Sequence, residues 1–108
     1  MKDFKSAIIG HLDIVIAQNE DEFNDEKTHW NEILIHGDSE GLRSFAYLLL
    51  KLADLNQDES RTLPVGARVH EQLRPEFELS ASSETVIVGR LDAKGTGEFY
   101  ERYLPKSN

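Results

Sequence analysis

A chain of 108 residues with 39% hydrophobic side chains suffices for one domain with its own core, since domains cluster near roughly 100–150 residues. It has no cysteine, which excludes disulfides and thiolate-held metal. Twenty acidic against twelve basic residues leave a net charge of −8, so the surface repels phosphate backbones and excludes nucleic acid as a partner; the surplus serves solubility or attracts a cationic protein, and composition alone does not choose.

The opening stretch, MKDFKSAIIGHLDIVIAQ, breaks each apolar run with a charge or a histidine. A secretory leader needs roughly 7–15 unbroken apolar residues, and a membrane span nearer 20. The expected protein is soluble and cytoplasmic, with no membrane partner. Residues 11–17 alternate, with Leu12, Ile14 and Ile16 on one side, as a half-buried strand does. Residues 18–29 then crowd Glu20, Asp21, Glu22, Asp25 and Glu26 together with only Lys27 opposing them, and are expected as a long, mobile acidic loop. A second strand follows at 31–36, with Ile33 and Ile35 on one face and Leu34 on the other.

Residues 39–55 carry the pattern of a long amphipathic helix. Asp38 or Ser39 can accept from the orphan amides of the first turn, and Glu40 suits the positive end of the helix dipole. Leu42, Phe45, Ala46, Leu49, Leu52 and Ala53 form one apolar stripe, widened by Leu48 and Leu50. Gly41 is about 1 kcal/mol worse than alanine inside a helix, so its presence in the first turn predicts close contact with another backbone.

After a polar connector at 56–62, residues 67–79 read as a strand interrupted at Pro75, which cannot donate to a sheet ladder. Phe77 and Leu79 resume the alternation. Residues 85–91, TVIVGRL, form the clearest strand. The tail, 92–108, brings Phe99, Tyr100 and Tyr103 back to the domain edge. The order ββαββ, with short connections and one helix, predicts an α+β two-layer sandwich: a mainly antiparallel sheet of about four strands with the helix packed on one face.

Few residues carry a chemical signal. His11, His29, His36 and His70 show no metal-ligand spacing. The acidic run lacks the glycine and spaced carboxylates of a calcium loop, and the Asp92–Gly97 stretch follows a strand instead of opening a helix, so it reads as a turn. Nothing resembles a nucleophile elbow, and strand-end and capping roles account for His36 and Asp38. The chain is expected to be no enzyme and to need no cofactor or metal. Phe23 within the acidic run and Trp30 just after it are candidate partner anchors, since interfaces draw energy from aromatic groups framed by polar ones. Alternatively they pack on the domain itself.

Gly37-Asp38-x-Glu40-Gly41-Leu42, followed by Ala46-x-x-Leu49-x-x-Leu52-Ala53, resembles a family of small bacterial proteins. These are the predicted immunity proteins of polymorphic toxin systems, family thirty-two. Pro64-x-Gly66-Ala67-x-Val69-His70 and Glu84-x-Val86-Ile87-Val88-Gly89-Arg90 are similar too, in the same order, so the resemblance spans roughly 33–91. It implies a cytoplasmic inhibitor that binds and occludes a cognate toxin domain, with no catalytic residues to transfer. Gly37, Asp38 and Gly41 match the motif and read as structural. With the charge, the expected partner is a basic toxin steered by Glu20, Asp21, Glu22, Asp25 and Glu26. The competing expectation is a small metabolite-binding domain with a concave pocket, or a self-associating regulatory domain that forms a homodimer through its strand edges.

Overall fold

In a computed structural model, residues 7–54, 70–91 and 102–106 are described. The expected strand residues 67–69, the whole 56–62 connector and most of the tail lie outside them. The architecture is α+β in the order ββαββ: β1 Leu12–Phe23, β2 Glu26–Gly37, α1 Ser39–Ala53, β3 His70–Leu73 and β4 Val86–Gly89.

The first departure from expectation is at residues 18–29, which are a β-hairpin arm and not a loop. β1 and β2 pair antiparallel from Leu12↔Gly37 to Phe23↔Glu26. They are joined by Asn24 and Asp25, both left-handed with φ of 52° and 65°. Two successive left-handed residues define the turn whose twist matches the flanking strands, and Asn and Asp tolerate that region. The carboxylates do not oppose strand formation, because both faces of the outer ribbon lie in water and neither needs apolar side chains.

Instead of one four-stranded sheet, the described strands form two ribbons, β1-β2 and β3-β4. The seam between them is made by a turn. The amides of Ser80 and Glu84 donate to the carbonyls of Leu12 (2.9 Å) and Ile14 (2.8 Å), and the Ser83 hydroxyl accepts from the Ile14 amide at 3.0 Å. A turn with a buried hydroxyl thus covers the outer edge of β1, where a sheet would place another strand.

The third strand stops at Leu73 and does not resume through Phe77 and Leu79. Pro75 removes a donor, Glu76 is left-handed with φ of 68°, and the amides of Phe77 and Leu79 both turn back to the Arg74 carbonyl. In this loop Leu79 is buried while Phe77 is exposed, with the Arg74 guanidinium 4.4 Å from its ring centre.

The core comprises Ile8, Leu12, Ile14, Leu48, Leu73 and Leu79, flanked by Phe45, Val86 and Val88. Each such buried aliphatic contributes about 1.5–3 kcal/mol. Of the expected helical stripe and the two leucines that widen it, Leu48 and Leu52 are buried and Phe45 half-buried; Leu42, Ala46, Leu49, Leu50 and Ala53 are exposed. The buried line is Gly41, Ser44, Leu48 and Leu52. Hydropathy alone misses half of it, because Gly41 is there for its missing side chain and Ser44 for its hydrogen bonds to Ile9.

Candidate protein-docking surface

The helix start is held by one carboxylate. Asp38 is the N-cap, and its Oδ1 accepts from the amides of Gly41 (2.7 Å) and His11 (3.1 Å). The Asp38 amide in turn donates to the His11 carbonyl at 3.1 Å. The Gly41 and His11 amides, with the His11 charge assisting and partial desolvation opposing, hold the Asp38 carboxyl below its ordinary range. Gly41 packs against the His11 carbonyl, and a Cβ on Gly37 would lie 2.8 Å from that same oxygen. Gly10, with φ of +83°, completes the crossing. Gly37, Asp38 and Gly41 therefore converge on one backbone crossing, with no open space for a ligand.

Two buried serines repeat the device. Ser44 Oγ accepts from the Ile9 amide at 3.0 Å and lies within donating distance of the Ile9 and Glu40 carbonyls. Ser83 does the same for Ile14. Sequence reading passed over both, since serine in a helix or turn carries no distinctive signal. Among the described residues Glu78 is the one buried carboxylate. Burial pushes its pKa up, but the Arg74 amide at 2.9 Å, its own amide and the Arg74 guanidinium outweigh this and hold it low.

The acidic candidates occupy the outer half of the hairpin arm, where every residue from 20 to 30 is exposed. The register divides them between two faces. Asp21, Phe23, Glu26, Thr28 and Trp30 share one face, while Glu20, Glu22, Lys27 and His29 share the other, with Asp25 in the turn. Lys27 bridges Glu20 at 3.3 Å on the second face, a solvent-exposed contact of little energetic weight. On the first face Phe23 is 76% exposed and Trp30 42%. One cross-strand pair, Asp21–Thr28, lies between them. The Trp30 indole N–H donates to Glu32 Oε1 at 3.1 Å, and the Asn19 amide donates to the same oxygen. The indole is thus oriented before any partner arrives.

A separate concavity of about 650 Å³ opens between Ile9, α1 at Ser44 and Tyr47, and the loop after β3 at Glu78. Ser44 and Glu78 on its wall are already bonded to the chain itself. Among the described residues no group of three or more His, Asp or Glu side chains is placed to hold a metal, and no helix is long and apolar enough to cross a membrane.

The family model described as immunity protein 32 matches residues 32–91, from the inner half of β2 through β4. The chain belongs to the immunity protein 32 family. No curated protein and no solved structure matches it. The family points to toxin neutralisation, and immunity proteins are generally inhibitors without enzymatic activity. The matched segment includes Gly37, Asp38 and Gly41, whereas residues 20–30 lie before it.

Proposed function

We propose that this protein neutralises a cognate toxin in the cytoplasm by binding it stoichiometrically and covering it, with no chemistry of its own, and that the outer half of the β1-β2 arm makes the contact. The observation that carries this reading is the exposed face that bears Phe23 and Trp30 together with Asp21 and Glu26. Two aromatic anchors fixed on one face by strand pairing, one with its indole already oriented, lose less conformational freedom on docking than the same groups in a loop. Family membership supports toxin neutralisation. The net charge of −8 supports a basic partner, because complementary potentials accelerate encounter.

The test is association kinetics with the cognate toxin domain. Replacing Glu20, Asp21, Glu22, Asp25 and Glu26 by their amides should lower the on-rate by about 10-fold or more at low salt. The salt dependence should flatten as well. An on-rate unchanged by all five replacements rules out the arm as the steering surface.

A further inference from the structure

The two edges of the first ribbon are treated differently. The outer edge of β1 is covered by the 80–84 turn, whose amides reach the Leu12 and Ile14 carbonyls. The outer edge of β2 has no such cover among the described residues. Its hydrogen-bonding phase follows from the same contacts. Leu12 and Ile14 aim their backbone groups away from β2, and residues facing each other in an antiparallel pair share that phase. Their partners Gly37 and Ile35, with Ile33 two residues along, therefore aim theirs away from β1. On the side chains, Ile16, Ile33 and Ile35 stand 53%, 59% and 46% exposed. They share the face on which Leu42 approaches Gly37. An uncovered edge beside exposed isoleucines invites another strand.

We infer that the occupant is a second copy of this chain, paired antiparallel along β2 about a two-fold axis through Leu34. In that register Ile33 lies opposite the partner's Ile35, and Ile35 opposite the partner's Ile33, each exchanging outward-facing backbone bonds. Glu32 faces the partner's His36 on the other side of the sheet, so no like charges meet. Other axes fit less well. An axis at Glu32 sets two carboxylates opposite each other, one at Ile33 puts Asn31 on Ile35, and one at Asn31 puts Lys27 on Ile35. The charge distribution favours the same choice. Between residues 31 and 37 the only carboxylate is Glu32, and the acidic cluster lies at the hairpin tip. An antiparallel pair sends the two tips to opposite ends, nine residues or about 30 Å from the axis on each side. The tips are then separated by several times the roughly 8 Å screening length of physiological salt. The chain's strong negative charge thus does not oppose this contact, and Phe23, near the hairpin tip, stays clear of it.

Sedimentation velocity on the full chain should give twice the chain mass. Ile35→Pro removes one outward-facing amide and leaves the β1 ladder intact, and Ile33→Glu adds a charge at an exposed site. Both variants should sediment as monomers with unchanged far-ultraviolet circular dichroism. Because the chain has no cysteine, Leu34→Cys gives a clean register probe. Cα atoms at a non-bonded antiparallel pair lie about 4.5 Å apart, within disulfide range. Mild oxidation should therefore link Leu34→Cys into a covalent dimer and leave Glu32→Cys unlinked. A monomeric wild type overturns the proposal, and if Ile35→Pro then abolishes toxin binding, the edge belongs to the toxin. Cross-linking at Glu32→Cys with none at Leu34→Cys overturns the register.

Discussion

The carbonyl of His11 lies so close to Gly41 that the glycine has no room for a side chain. This contact locks the strand approach to the first helical turn, and Gly10, Gly37 and Asp38 meet at the same crossing. At an exposed helical site Gly41→Ala would stabilise by about 1 kcal/mol. Here the new methyl would collide with backbone, which cannot yield as a flexible side chain does, and overpacking typically costs about 1–3 kcal/mol. Net destabilisation in urea titration is expected. A variant as stable as the wild type would remove the crossing as the reason for glycine.

Ser83→Ala should be costly for its size. It leaves the Ile14 amide buried without its 3.0 Å acceptor, and an orphaned buried donor costs about 1–3 kcal/mol. Hydrogen exchange at Ile14 should accelerate more than at the middle of α1. Equal acceleration at both would mean that the seam between the ribbons is held by something else.

Acid should weaken the fold through Asp38 and Glu78. Both carboxyls sit below their ordinary values of 3.8 and 4.5 in the folded chain. The unfolded chain therefore binds their protons first as pH falls. Their stabilising effect is fully present above those values and is lost as pH drops through the lower folded ones. Asp38→Asn should flatten the fall in thermal midpoint below about pH 4. An identical acid profile would show that the cap is not the titrating group.

Trp30→Ala and Phe23→Ala should separate binding from folding. Each residue is substantially exposed, at 42% and 76%, so thermal midpoints should barely move. Toxin affinity should fall by about 2 kcal/mol or more if they anchor the interface. Calorimetric titration of folded variants checks this directly, and full affinity in both would move the docking surface elsewhere on the molecule.

The order of elements, the helix start at Asp38 and the close contact at Gly41 were legible in the residues, because capping geometry and glycine's missing side chain are local properties. So were the cores of both strands of the first ribbon, where Leu12, Ile14, Ile33 and Ile35 alternate. The arm was not. Charge density at 18–29 argues for a loop, yet a ribbon solvated on both faces needs only a left-handed Asn24-Asp25 turn and a register inherited from the strands below it.

By itself the sequence determined an acidic α+β chain with one dominant helix, because composition, periodicity and capping act over a few residues at a time. Tertiary structure alone decided which helical face is buried, since Gly41 and Ser44 are selected by the backbone of His11 and Ile9, more than thirty residues from Ser44 in one case. It also decided that the strands separate into two ribbons sealed by Ser83, and that Phe23 and Trp30 share a face. Each of these depends on pairing between distant segments, and spacing along one segment does not encode it.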